Sequence, residues 1–259
     1  MAFSVSILNF DGIYELQDFY RKTKHKWVNL KDLSGTYCFC ETTTLQQLNL
    51  RLNPTLPQLI YIGSGNYHYV TYLALRRINQ PFTLILFDHH SDLLPTPDSN
   101  IISCGSWLYW ALTKLPQLKK AIIIGMNNRY MPKLPLKILH KVRWVTHQQI
   151  KNDDQWSYRW MNEIHTPFVY ISIDKDVLSE QDVLTNWDHG DMRIDQLMQL
   201  LETIVSRYRV VGIDVCGEPK LENDLTFKPQ LKRMIHKNSK ANEAILNSVL
   251  HYIDNQEAS

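Results

Sequence analysis

A succession of short, apolar, β-rich runs, separated by stretches of helical periodicity, constrains this chain more than any other feature. The runs are Val5 to Leu8, Leu59 to Ile62, Phe82 to Phe87, Ala121 to Ile124, Val142 to Val145, Phe168 to Ile173 and Val210 to Val215. Several are apolar nearly throughout, as expected of parallel strands covered on both faces. Between them the spacing predicts helices over Tyr69 to Ile78, Trp107 to Leu115, Trp156 to Ile164, Asp195 to Tyr208 and Ala241 to Ile253. Ile194, Leu197, Leu200, Leu201 and Ile204 recur at helical spacing and form one apolar stripe. Strand–helix–strand alternation requires right-handed crossovers, which put helices on both sides of the sheet. The expected fold class is α/β, a three-layer α/β/α sandwich with a mainly parallel central sheet. No repeat, low-complexity tract or Pro/Gly/Ser-rich linker interrupts the pattern, so residues 1–259 read as a single domain.

Residues 9–57 follow the alternation least. A strand at Tyr37 to Cys40 and a short helix at Leu45 to Leu52 are expected there. The basic segment Lys228 to Lys240 reads as a solvated loop ahead of the last helix. A formal charge of +2 is too small to favour nucleic acid or an anionic membrane as partner. No apolar run approaches the ~18 residues of a membrane-spanning helix. Met1-Ala2-Phe3-Ser4 lacks a basic stretch leading into an apolar one, so no signal peptide is expected. The scattered Cys38, Cys40, Cys104 and Cys216 fit neither a zinc finger nor a CxxC pair, so reduced thiols and a cytoplasmic location are expected.

Two of the apolar runs end in clusters of metal-binding side chains. Asp88-His89-His90-Ser91-Asp92 follows Phe87, and Asp174-Lys175-Asp176 follows Ile173. Side chains two apart on an extended chain share a face, so Asp88, His90 and Asp92 can converge, as can Asp174 and Asp176. Strand ends on one edge of a parallel sheet border a common crevice. Carboxylates gathered there without cations would repel one another, a penalty that a metal pair removes. By the same alternation, Lys175 points out of the metal face and His89 packs elsewhere. A third element, Gly63-Ser64-Gly65-Asn66-Tyr67-His68, joins a strand to a helix. Its glycines permit a tight turn, but without a following Lys-Ser/Thr it is no phosphate loop.

A Gly-rich turn ending in His, then Asp-x-His-x-Asp, then Ser-x-Asp-x-Asp, resembles in type and order the ureohydrolase family of arginase, agmatinase and formimidoylglutamase. The intervals, about 20 and about 85 residues, are similar too, and the resemblance spans roughly residues 58–219. It implies that His68, Asp88, Asp92 and Asp174 hold one manganese ion. His90, Asp88, Asp174 and Asp176 would hold the second, with Asp88 and Asp174 bridging. The implied activity is a dinuclear-metal hydrolase that cleaves a C–N bond of a guanidino, amidino or formimino small molecule through a metal-bridging hydroxide. Two Mn2+ per chain are expected, with Zn2+ or Fe2+ as alternatives. The resemblance also allows a homo-oligomer.

Departures from the family pattern bear on substrate. Ser179-Glu180 follow where a further Asp-Pro is usual. Cys104-Gly105-Ser106 stands where many members carry a proton-shuttling His-Gly turn; this thiol is either a proton carrier or inert core ahead of a helix. Glu218, in Cys216-Gly217-Glu218-Pro219, stands one residue later than the family's guanidinium-pairing glutamate, and is either its counterpart or a surface glutamate ahead of a turn-forming proline. The stretch Thr185 to Asp191 should lie at the pocket rim, with His189 as a general acid or as part of a polar loop. No loop for an α-amino-acid head group stands between Asp92 and Ser103, which disfavours arginine as substrate. The alternatives are a zinc-dependent, deacetylase-like amidohydrolase and a non-catalytic, metal-binding descendant.

Overall fold

The structure is a computed structural model, and it describes residues 4–52, 58–96, 98–152, 156–221 and 229–257. Strands β1 (Val5–Asn9), β2 (His25–Asn29), β4 (Leu59–Ser64), β5 (Phe82–Phe87), β7 (Leu118–Met126), β8 (Val142–Thr146), β9 (Phe168–Asp174) and β10 (Arg209–Glu218) form one sheet. It is eight-stranded, in the order β2-β1-β4-β10-β9-β5-β7-β8, and every pairing is parallel. A separate antiparallel pair joins β3 (Phe39–Glu41) to β6 (Ile101–Ser103).

The layers follow from period-two alternation along the strands. On β5, Leu84 and Leu86 enter one apolar cluster while Ile85 and Phe87 enter another. The first cluster is covered by α1 (Thr42–Arg51), α2 (Val70–Leu75), α3 (Trp107–Lys114) and α4 (Leu136–Leu139). Against the second lie α6 (Trp156–Met161), α7 (Ile194–Arg207) and α8 (Pro229–Glu257), while α5 (His147–Asn152) follows β8. The α7 stripe is buried at Leu197, Leu200, Leu201, Ile204 and Val205. The α/β/α sandwich is therefore as expected, and among the described residues no helix is long and apolar enough to cross a membrane.

Two elements depart from expectation. Strand β2 is an edge strand in which only Val28 is buried, so the polar His25-Lys26-Trp27-Val28-Asn29 carries almost no apolar alternation to read. Helix α8 begins at Pro229, so residues 229–240 are helix, not loop; Lys228 lies outside the described residues. Lys232, Arg233, His236 and Lys240 face solvent, whereas Leu231, Asn238, Ala241 and Asn242 face inward. The inward stripe contains two asparagines, which hides the helix from an apolar-periodicity reading.

Those asparagines dock α8 onto the sheet edge. Asn238 donates to the Gly217 carbonyl at 3.2 Å and accepts from Leu184 N–H at 3.0 Å. Asn242 donates to Glu218 Oε1 at 2.7 Å and to Gln17 Oε1 at 2.9 Å, and accepts from Lys175 Nζ at 3.0 Å. Lys175 and Glu218 form a fully buried ion pair, and Gln17 Nε2 donates to Glu218 Oε2 at 2.7 Å. Removing one member of such a network strands the others. Asn242→Ala should cost about 2–4 kcal/mol of stability, read as a lower urea midpoint; an unchanged midpoint would show that the network contributes little.

Candidate metal centre

The carboxyl ends of β4, β10, β9 and β5 are neighbours on one sheet edge, the place where parallel sheets position their chemistry. His68 follows β4 through the 3-10 turn Gly65–Tyr67, started by Ser64 Oγ accepting from Asn66 N–H. A Cβ at Gly65 would sit 2.8 Å from Asp174 Oδ2 and 3.2 Å from the Trp187 ring, so a larger residue there would displace one of them. Asp88 follows β5, and Asp174 ends β9.

These ends bring all six expected ligands together. His68 Nδ1 lies 3.0 Å from Asp92 Oδ2 and 3.5 Å from both Asp88 Oδ2 and Asp174 Oδ2. His90 Nδ1 lies 2.9 Å from Asp176 Oδ2 and 3.6 Å from Asp88 Oδ1. Donor atoms of His68, Asp88 and Asp92 fall within 4.8 Å of one another, as do those of Asp88, His90 and Asp176, and of His68, Asp174 and Cys216. Asp88 thus belongs to both histidine groups through different oxygens. Its Oδ2 is buried and accepts no hydrogen bond. An ionised oxygen left so is costly unless a cation meets it, so the donor set fits a metal pair.

Surrounding groups fix these ligands. His68 Nε2 lies 2.9 Å from Ser172 Oγ, which donates to Asp214 Oδ1 at 2.6 Å; Tyr170 OH donates to Asp214 Oδ2 at 2.8 Å. Because the Ser172 hydroxyl is spent on Asp214, it accepts from His68 Nε2–H and leaves Nδ1 to face the carboxylates. Trp107 Nε1 donates to Asp92 Oδ2 at 2.5 Å. Asp92 itself holds φ 51, a left-handed conformation uncommon outside glycine.

Charge crowding shows in the titration of these groups. Burial, reinforced by the charges of Asp92 and Asp176, raises Asp88 well above the ordinary carboxylate range. Burial and Asp176 push Asp174 up to about 6. Burial pulls His68 down, but its hydrogen bond to Asp92 and the surrounding carboxylates carry it up to about 10. His90 is likewise raised by Asp176 and Asp88 against the effect of its burial.

Above the ligands opens a cleft of about 610 Å³. Leu94, Pro95, Ile101, Met131 and Pro132 line it, and Trp187 stands over the ligands. Tyr130 and Trp187 lie 4.6 Å and 5.5 Å, centroid to centroid, from the His90 ring. Asp188 pairs with Arg129, accepts from Tyr130 OH at 2.8 Å and lies 3.2 Å from His90 Nε2. Against partial burial, which raises it, Tyr130, His90 and Arg129 hold Asp188 at about 2.

The three expected catalytic side chains are placed differently. Cys104 lines the cleft, with its Sγ 3.3 Å from Cys38 Sγ. His189 is not brought to the cleft; Nδ1 faces the Leu178 carbonyl at 3.0 Å and Nε2 accepts from Thr185 N–H at 3.1 Å. Nor is Glu218, which is fully buried against Lys175. The pairing of β10 with β4 shifts register on either side of Cys216, breaking the alternation. Gly217 takes φ +89, and a Cβ there would lie 2.6 Å from Asp174 Oδ1, so only glycine fits and the next side chain turns inward. Lys175 points away from the metal face as expected, and His89 lies 3.4 Å from Asn127 Nδ2. Sequence reasoning missed the roles of Ser172, Asp214, Trp107, Arg129 and Tyr130. A carboxylate inside the apolar run Val210 to Val215 was the available signal for Asp214.

The profile of the Arginase family matches residues 8–226, reaching well ahead of the metal-binding motifs. An uncharacterized Thermotoga maritima protein is 29% identical over 257 residues, covering 98% of this chain and 94% of the relative. Among solved structures, formimidoylglutamase from Bacillus subtilis superposes with a TM-score of 0.66 at 16% identity, covering 97% of this chain and 87% of the other. A hypothetical agmatinase from Burkholderia thailandensis gives 0.66 at 14% identity, with 99% and 87% covered. Arginase from Bacillus cereus gives 0.61 at 15% identity, with 93% and 97% covered. At these identities the structural likeness is one of fold.

The raised values mean that the metal-free centre favours protons. Asp174, ordinarily 3.8 and about 6 when folded, stabilises the fold most below its ordinary value and loses that contribution as pH rises through 6. His68, ordinarily 6.5 and about 10 when folded, follows the same sign at higher pH. The melting temperature of metal-stripped protein should therefore fall between about pH 4.5 and 7, with Mn2+ restoring more stability at the upper end. A metal-free profile that climbs over that interval would contradict the assignment.

Proposed function

Since the chain belongs to the arginase family, we propose that it is a hydrolase cleaving a C–N bond of a guanidino, amidino or formimino small molecule at a two-metal centre. The observation that carries this reading is Asp88, whose Oδ2 faces His68 and whose Oδ1 faces His90, with Oδ2 buried and accepting no hydrogen bond. A carboxylate so placed is suited to be shared between two cations. His68, Asp92 and Asp174 would hold one ion with Asp88; His90 and Asp176, with Asp88 and Asp174, would hold the other. Four carboxylates and two imidazoles suit Mn2+, and Zn2+ or Fe2+ accept the same donors. Bound ions supply Lewis acidity, lowering the pKa of water and offsetting charge that develops during attack on an sp² carbon.

The chain's own groups do the rest. Ser172 and Asp214 keep the His68 ring oriented with Nδ1 toward the ions, and Trp107 holds Asp92. The apolar wall seats an uncharged part of the substrate and excludes water. The only carboxylates among the described lining residues are the four ligands. A cationic substrate group would therefore meet the faces of Trp187 and Tyr130 instead of a free acid. Of the three expected catalytic side chains, Cys104, expected as either a proton carrier or inert core, is the one that lines the cleft. Sequestration of Glu218 favours, as a second reading, a centre that binds metal without turnover.

Elemental analysis after Mn2+ loading and desalting tests the centre. About two ions per wild-type chain, falling towards one in Asp176→Asn, are expected. A panel of guanidino, amidino and formimino compounds should then give urea or ammonia, with Asp176→Asn at least about 100-fold slower. Metal retention without turnover of any compound would support the second reading. Failure to retain metal would overturn both.

A further inference from the structure

A second reactive pair lies on the wall of the same cleft, outside the metal ligands. Cys38 immediately precedes β3, and Cys104 immediately follows β6. Phe39 pairs with Ser103 across these antiparallel strands, so the next positions outward set Cys38 opposite Cys104. The Cys104 N–H donates to the Cys38 carbonyl at 2.9 Å, and the two Sγ atoms are 3.3 Å apart. Both side chains are half-buried and line the cleft, so small reagents reach them. The other cysteines, Cys40 and Cys216, are both 0% exposed.

We propose that Cys38 and Cys104 are a redox modification site, converted by a hydroperoxide or a low-molecular-weight disulfide into an intramolecular disulfide on the cleft wall. A disulfide requires the sulfurs to close to about 2.05 Å, an approach of roughly 1.2 Å that side-chain rotation across paired strands can supply. The hydrogen bond from Cys104 lowers the Cys38 thiol to about 7, which favours Cys38 as the attacking thiolate. Cys38 is also held at φ 67, a conformation that non-glycine residues adopt rarely and that clusters at functional positions.

With hydrogen peroxide the chemistry balances as follows. The Cys38 thiolate attacks one peroxide oxygen, the O–O bond breaks, and the departing hydroxide takes a proton to leave as water. Cys38 is then a sulfenic acid. Cys104 attacks that sulfur, and its thiol proton leaves with the expelled hydroxide as a second water. Two thiols lose two electrons and two protons, and one peroxide becomes two waters. With a small disulfide, Cys38 forms a mixed disulfide that Cys104 resolves, and two small thiols are released. Either route removes the Cys104 proton from the cleft wall. It also ties β3 to the segment leading into Trp107, the residue that holds Asp92. The proposal stands whether or not the metal centre is catalytic.

The test uses the full chain, reduced, desalted, exposed to a few equivalents of hydrogen peroxide and alkylated before non-reducing peptide mapping. The expected result is a cross-linked peptide joining Cys38 to Cys104. Titratable thiols in the denatured product should fall from the four of the sequence towards two, and dithiothreitol should restore them. Because the pair is pre-positioned, the bond should form at least about tenfold faster in folded protein than in urea-unfolded protein. Cys104→Ser should give no cross-link and leave a Cys38 sulfenic acid that dimedone traps; Cys38→Ser should give neither. Cys38 and Cys104 recovered separately alkylated from folded wild-type protein would overturn the proposal. So would a cross-link that forms no faster folded than unfolded.

Discussion

Four carboxylates and two imidazoles meet at adjacent strand ends with little solvent to screen them, and the surrounding structure is arranged around the resulting repulsion. Asp88 and Asp174 are 1% and 3% exposed, so neither relieves its charge by hydration. Protons on His68 and His90 offset part of the charge in the metal-free chain; cations would displace them and offset more. The cost of gathering the groups is met by restraint. Asp92 sits in a left-handed conformation under the Trp107 indole, and His68 is held from behind by Ser172 and Asp214. The candidate donors are thus held in place by their surroundings before any ion binds.

The same turn that aims Asp174 and Asp176 at the centre sends Lys175 the other way, into the interior. A buried ammonium demands an acid, and Glu218 supplies it, with Gln17 and Asn242 satisfying the remaining donors and acceptors. This couples the floor of the site to α8 and to residue 17, far apart in sequence. It also commits Glu218 to structure. Gly217, which admits no Cβ beside Asp174, keeps another side chain from taking its place at the cleft.

The parallel core was legible because strands such as Phe82 to Phe87 are covered on both faces and need no polar alternation. Five of the six candidate ligands were legible for a related reason: Asp88, His90, Asp92, Asp174 and Asp176, spaced two apart, close two of those strands, while His68 entered through the Gly-rich turn after a third. What escaped reading depends on direction, not identity. Glu218 has the right chemistry near the right place, yet register shifts on either side of Cys216 and a positive φ at Gly217 turn it inward. His189 lies in the rim loop as expected, but the backbone groups of Leu178 and Thr185 occupy its two ring nitrogens. Edge strand β2 buries only Val28, and the inward face of α8 includes Asn238 and Asn242, which are hydrogen-bonded instead of apolar. The proximity of Cys38 to Cys104 arises only from pairing two short strands more than sixty residues apart in the chain.

These particulars shift the burden of recognition within the cleft. In a site where a free acid pairs with a substrate cation, charge attraction would select the ligand and geometry would refine it. Here the cleft's carboxylates are gathered at the candidate metal centre, Glu218 is held in a buried pair, and Asp188 is already bound by Arg129, Tyr130 and His90. The surfaces that remain are the apolar wall and the aromatic faces beside His90. Such surfaces discriminate by shape and by desolvation more than by charge.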